Sequence, residues 1–324
     1  MHHQETPRES TIKIQEVAIL GPPFQVDVLK AMLEYYGFSG FNCFKRCNNY
    51  VLNVLKYLKY NRLILKGRHK VLHVIYPSHK LSIKLATNAF KQGLKIVLHW
   101  IGSDVLLAKR KVYYNLDIFR RALNVAVAPW LKDELEGMDI PTSEIIPLIP
   151  PDIVSTRREP LPKKFRILYY LPFGRETLYT PEIISRIAEA LKDVEIYVVG
   201  GGRGPSHPNV VHIGKVERKN MPEIYKKTVV LVRYTSHDGL PLMILEALSY
   251  GRYVIFNKPL EGVIYVRNEE EVINKLEDLK NKFNKGNLNI NNKSIQFRNT
   301  IRNAVKNLLS LWHISDHDDK IEYS

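Results

Sequence analysis

Val229–Phe256 reads VVLVRYTSHDGLPLMILEALSYGRYVIF, and this stretch decides the fold. Its first residues, β-branched and apolar, read as a strand that ends at Arg233. A polar loop, Tyr234–Gly239, follows, and a helix opens near Leu240–Pro241. Glycine at 239 suits backbone angles that other residues avoid, and proline fits a first helical turn. A helix opening behind such a loop leaves backbone N–H groups for an anion, typically phosphate. Asp238 and Glu246 stand eight apart, one in the loop and one two turns down the helix. Both therefore face one ligand at different depths. Tyr253–Phe256 reads as the next strand, and strand–loop–helix–strand is the unit of a parallel sheet.

The same rhythm runs outward in both directions. Upstream, strands are predicted at Val17–Leu20, Val71–Tyr76, Lys95–Trp100 and Val125–Ala128. Helices are predicted at Asp27–Tyr36, His79–Gln92 and Trp130–Glu136. Between Pro141 and Pro162 lie six prolines and little periodicity, the mark of a connection between domains. The rhythm resumes with strands at Phe165–Tyr170, Glu195–Val199 and Val210–Ile213, and helices at Pro181–Leu191, Met221–Lys227 and Leu242–Tyr250. Lys280–Ser294, rich in Asn and Lys, reads as an exposed loop, and Phe297–Trp312 as an amphipathic terminal helix. The expected division is a first domain over 12–150, a proline-rich linker over 151–164 and a second domain over 165–294. The helix takes 295–312 and a frayed tail 313–324. Two α/β halves with a hinge imply a ligand cleft at the carboxyl ends of their strands.

Composition narrows the class. The 45% hydrophobic content excludes a disordered chain, and 324 residues suffice for two domain cores. Two cysteines, Cys43 and Cys47, stand four apart at helical spacing, too few for a disulfide scaffold or a zinc site. The amino terminus lacks the pattern of a signal peptide, and no apolar run spans a bilayer. A cytoplasmic protein is expected, either soluble or peripheral on the inner face of the cell membrane. Residues 41–130 hold 17 Lys and Arg against two acids, Asp104 and Asp117, so the whole net charge of +15 is confined there. That field suits lipid headgroups, a phosphorylated substrate or nucleic acid.

Asp238-x7-Glu246, within HDGLPLMILEALSYG, resembles the Glu-x7-Glu motif of retaining GT-B glycosyltransferases, especially family 4. Val198–Gly202 is similar to the family's strand and glycine turn, and His212–Val216 to its nucleotide-base loop. Ala126–Glu136 with Ile145–Pro147, and the loop Ile101-Gly102-Ser103-Asp104-Val105, resemble parts of its first domain. The resemblance implies an α/β GT-B fold: two Rossmann-like domains facing a central cleft, with the carboxyl-terminal helix returning toward the first. It implies sugar transfer from a nucleoside-diphosphate sugar to an acceptor hydroxyl, with retention and without a cofactor or metal. Glu246 would bind the ribose hydroxyls and Asp238 those of the donor sugar. Arg233, counted with these two as catalytic, would stabilise charge on the leaving phosphate. Arg175, Gly200, Gly201, Lys215, Val216, His237, Gly239, Leu240, Pro241 and Leu242 would line the donor site. Gly21, His99, Gly102, Ser103 and Asp104 would lie on the acceptor side.

The chain departs from the pattern at informative places. The first motif acid is Asp, one methylene shorter than Glu. Arg175 has no lysine soon after it, which shifts weight to Arg233 at the end of its strand. Ile101 takes the usual histidine place, with His99 two residues earlier, and Gly21 lacks the family's glycine-rich run. Asp104 also reads as a helix cap. The helix expected over Lys45–Arg62 carries lysines among leucines and tyrosines, which suits either a solvated basic face or a headgroup layer. The basic first domain points to a glycan or lipid-linked acceptor, with an anionic membrane surface as a further partner. The rival readings are a non-catalytic GT-B protein and a basic nucleic-acid-binding protein. The second lacks any recognition motif and leaves 229–256 unexplained.

Overall fold

The computed structural model describes residues 12–47, 50–110, 116–154, 158–291 and 296–314. The chain forms two compact units, one running to Pro151 and resuming at Arg298, the other Asp152–Phe297. In the first, β1 (Val17–Gly21), α1 (Pro23–Tyr35), β2 (Asn42–Lys45), α2 (Tyr50–Lys66), β3 (Val71–Ile75), α3 (Lys80–Lys91) and β4 (Lys95–Trp100) follow in order. Then come α4 (Ser103–Arg110), α5 (Leu116–Arg121), β5 (Leu123–Ala126), α6 (Pro129–Glu136) and β6 (Thr142–Ile145). All six strands are parallel in the order β2-β1-β3-β4-β5-β6. Every residue of β1 and β3 is buried, as a strand covered on both faces requires.

The second unit repeats the plan. It holds β7 (Arg166–Tyr170), α7 (Glu182–Ala190), β8 (Glu195–Val199), β9 (Val210–Gly214), α8 (Met221–Lys227), β10 (Val230–Arg233) and α9 (Leu242–Ser249). It closes with β11 (Tyr253–Phe256), β12 (Ile264–Tyr265) and α10 (Glu269–Asn284). Its sheet is parallel in the order β12-β11-β10-β7-β8-β9. Ile167, Ile183, Ile187, Ile196, Val230 and Ile255 are fully buried between strands and helices. The carboxyl-terminal helix α11 (Phe297–Leu311) belongs to the first unit from Arg298 on. It buries Ile301, Ala304, Val305, Leu308 and Leu309 at helical spacing.

Three readings change. Asn42–Lys45 is a strand, so Cys43 sits on β2 and not on a helix with Cys47. The proline-rich connection contains β6, which pairs with β5. The expected loop from Lys280 overlaps α10, which runs to Asn284 and is capped at its start by Asn268 accepting from the Glu271 N–H. Residues 292–295, and the expected tail from 315, lie outside the described residues.

Candidate functional site

At the carboxyl end of β10 the backbone delivers Arg233 into the interior of the second unit. Its side chain is 6% exposed, and its Nε donates to Asp238 Oδ2 at 2.6 Å. Its Nη2 donates to the Tyr179 hydroxyl at 3.1 Å. The guanidinium lies 4.8 Å from the Tyr170 ring centroid and 5.1 Å from that of Tyr179, both within cation–π range. Burial opposes the charge, but Asp238 and Tyr179 outweigh it and raise the Arg233 pKa. The same burial pushes the Tyr179 hydroxyl up to about 12, so it remains protonated.

The loop between β10 and α9 is held from two sides. Thr235 N–H donates to Asn257 Oδ1 at 3.2 Å, and Asn257 Nδ2 returns a bond to the Thr235 carbonyl at 2.9 Å. Ser236 N–H and the Thr235 hydroxyl both reach the Leu178 carbonyl, at 2.9 and 2.7 Å. Asp238 thus stands on a loop with little freedom, and its Oδ1 accepts from Gly239 N–H at 3.0 Å.

Two turns along α9, Glu246 is bonded at both oxygens. Arg218 Nε donates to Oε1 at 2.6 Å, and the Tyr225 hydroxyl to Oε2 at 2.8 Å. Arg218 Nη2 also reaches Asp152, at 2.9 and 3.1 Å. Pro241 stands at the N-cap of α9 without a side-chain bond; the Ile244 N–H turns back to the Pro241 carbonyl at 3.0 Å, which leaves the N–H groups of Leu242 and Met243 for a ligand.

These groups surround an open cavity of about 370 Å³. Gly200, Lys215, Val216, Arg233, Pro241, Leu242 and Glu246, all expected at the donor site, line it together with Tyr170, Tyr179, Arg218 and Tyr225. Asp238 touches the site through Arg233. Gly201 lines a neighbouring opening with Gly202, Arg203 and His212. Arg175, His237, Gly239 and Leu240 are not on the wall. Arg175 is exposed in the loop after β7, and His237 is buried. Among the described residues no group of three or more His, Cys, Asp or Glu is placed to hold a metal.

Gly200 shows why the turn after β8 carries glycines. Its φ is +111°, and a Cβ there would lie 2.6 Å from the Leu171 carbonyl oxygen. Gly200→Ala is therefore expected to destabilise the second unit by about 1–3 kcal/mol, read as a lower urea midpoint by circular dichroism.

No family model matches the sequence, and no curated protein matches it. Solved structures do match. A sucrose-phosphate synthase from Thermosynechococcus elongatus aligns with TM-score 0.63 at 13% identity, over 92% of this chain and 96% of that one. The lipopolysaccharide outer core galactosyltransferase WaaB aligns with TM-score 0.55 at 12% identity, over 94% and 98%. A UDP-N-acetylglucosamine 2-epimerase aligns with TM-score 0.53 at 13% identity, over 92% and 96%. The fold is GT-B. Identities this low carry the fold and leave the reaction to the site itself.

In the first GT-B unit, the expected acceptor residues are mostly structural in their contacts. His99 has no exposed surface. The indole N–H of Trp312 donates to His73 Nδ1 at 3.3 Å, so the neutral His73 carries its proton on Nε2. That proton goes to His99 Nδ1 at 3.1 Å, and His99 Nε2–H goes to the Ile146 carbonyl at 2.8 Å. No ring nitrogen of this relay is left for a ligand. Asp104 is fully buried too, accepting from Gly102 N–H at 2.7 Å and from Ile101 N–H. Burial raises its pKa to about 6 against those bonds. A Cβ on Gly21 would meet that of Ile75 at 2.9 Å, which shows how closely β1 and β3 approach there. Gly102 has φ +135°. Ser103 stays partly exposed, 3.4 Å from the Tyr76 hydroxyl. Tyr76 has φ +63°, rare for a bulky residue, and Arg46 lies over its ring at 5.2 Å. A small cavity nearby, of about 20 Å³, is lined by Arg46, Lys56, Tyr60, His79 and Ser82.

Sequence reasoning missed Tyr170, Tyr179, Arg218, Tyr225 and Asn257. Tyr170 carried a signal, an aromatic at the end of the strand beside β10. Arg218 and Asn257 are polar loop residues with no local pattern.

Proposed function

We propose that the protein is a retaining glycosyltransferase that moves a sugar from a nucleoside-diphosphate sugar to the hydroxyl of a lipid-linked or membrane-displayed glycan. One observation carries this reading: a cavity with a carboxylate (Glu246), three cations (Lys215, Arg218 and Arg233) and a helix start without a side-chain cap on the same wall. A nucleoside diphosphate asks for such a set. Glu246 accepts from the ribose hydroxyls, exchanging Arg218 and Tyr225 for them. The N–H groups at the start of α9 and the charge of Arg233 receive the diphosphate, where negative charge grows as the sugar leaves. Asp238 fixes Arg233 from behind the cavity wall. The incoming hydroxyl attacks on the face from which the diphosphate departs and passes its proton to the departing phosphate oxygen, so the new C–O bond replaces the old one with configuration kept. In the first unit, the excess of Lys and Arg over 41–130 supports an anionic acceptor.

The test is donor binding by thermal shift across a panel of nucleotide sugars, followed by a transfer assay. A donor at about 100 times its dissociation constant adds about 2.7 kcal/mol. Glu246→Ala is expected to lose that shift and lower kcat/KM by about 10–100-fold, the value of one charge-assisted pair. Wild-type binding and turnover in Glu246→Ala sinks the assignment. Conversion of a nucleotide sugar with no acceptor product would instead match the epimerase that shares the fold.

A further inference from the structure

Helix α2 is built inside out. An ordinary surface helix turns its leucines inward. Here Leu52, Leu55, Leu58 and Leu63 are 51%, 58%, 60% and 44% exposed. At 100° per residue these four fall within roughly 140° of the circumference. Lys59, Arg62 and Lys66 are exposed on the same arc. The inward face is made instead by Ile64, which is fully buried, and by tyrosines. Tyr60 meets the Phe44 ring edge-on at 4.9 Å, and Tyr57 accepts from Asn88 on α3 at 3.2 Å. Neither α2 nor α3 contains an acidic residue, and Lys80, Lys84 and Lys91 of α3 are exposed.

We infer that α2 is the docking surface for an anionic lipid bilayer, lying in the headgroup layer with its leucines toward the acyl chains. Exposed leucines alone would fit any apolar partner, but here they alternate with cations. That combination matches a surface that is apolar below and negative above. Nucleic acid fits less well, because leucine bonds neither phosphate nor base edge and the tyrosines that would stack on bases face inward. Among the described residues no helix is long and apolar enough to cross a membrane, so this contact is with one leaflet. The inference stands apart from the donor-site reading, since vesicle binding is measured with no nucleotide sugar present.

The experiment is sedimentation of the full chain with phosphatidylcholine vesicles, with and without phosphatidylglycerol. Binding is expected only to the anionic vesicles and to weaken with salt. Leu55→Gln with Leu58→Gln, both at exposed positions, is expected to abolish it. Lys59→Gln with Arg62→Gln should weaken it by roughly fivefold per charge removed. Leu55→Trp is expected to shift its emission to the blue when anionic vesicles are added. No binding to anionic vesicles at low salt overturns the inference. So does binding that the leucine variant leaves unchanged, equal binding to neutral vesicles, or retention on duplex DNA that matches the vesicle affinity.

Discussion

Replacing Arg233 by methionine is expected to destabilise the second unit by about 3–5 kcal/mol, because it leaves a buried carboxylate without its cation. Asp238→Leu should cost a similar amount for the converse reason. Arg233 is 6% exposed and Asp238 12%, so water cannot take the partner's place. Lysine is no substitute: one ammonium cannot donate to Asp238 and Tyr179 while lying flat on two rings. The double variant is the deciding case. Once both charges are gone, the penalty of a lone buried ion disappears, so Arg233→Met with Asp238→Leu should be more stable than either single variant. Urea unfolding by circular dichroism measures this. Trp100, Trp130 and Trp312 all lie in the first unit, so tryptophan emission should stay unchanged through the affected transition. A double variant less stable than both singles would mean that the pair stabilises through its rings and hydrogen bonds, and not by mutual neutralisation.

The pair also shows what the amino-acid order discloses. Arg233 and Asp238 are five residues apart on a strand end and the loop after it, so their meeting was readable locally. Glu246 was readable for the same reason, from one helix in register with that loop. Tyr179 and Tyr225 come from segments far along the chain, and only the strand order β11-β10-β7-β8 brings them in. β2 and β6 escaped notice because NCFK and TSEI have no apolar run; they are edge strands with one buried residue each. α10 did carry a signal in Asn268 followed by three glutamates, with Val272, Leu276 and Leu279 at helical spacing. The Asn- and Lys-rich composition near its end concealed it. His99 misled because its neighbours Gly102–Asp104 resemble a loop of known function. Its real partners are His73 and, through it, Trp312, more than two hundred residues away.

That relay makes the first unit sensitive to acid, in a direction that can be worked out. Burial lowers the His99 pKa to about 4 and that of His73 well below its ordinary 6.5. Both rings are therefore neutral when folded and take up protons only on unfolding. Between about pH 6.5 and 4 the unfolded chain binds more protons here than the folded one, so their contribution is complete above that window and is lost as pH falls. Asp104 acts the other way. Its folded pKa, about 6, lies above the ordinary 3.8, so over that interval the folded state holds the extra proton. Acidification then relieves part of the strain of a buried carboxylate. At about 1.4 kcal/mol per proton and pH unit, His99 alone loses about 2–3 kcal/mol between about pH 7 and 4.5 and Asp104 returns about 2, while His73 adds to the loss. A net loss of stability on acidification is therefore expected, read by tryptophan emission in urea. Above about pH 5 ordinary carboxylates remain ionised, so the decline between about pH 6.5 and 5 belongs to the histidines. Asp104→Asn keeps an oxygen for the Gly102 N–H but removes the opposing titration, and its acid loss should exceed that of the wild type by about 2 kcal/mol. If the unit is equally stable at both ends of this range, the rings are not held neutral. If the Asp104→Asn variant declines no faster than wild type, the buried aspartate does not hold its proton as its surroundings require.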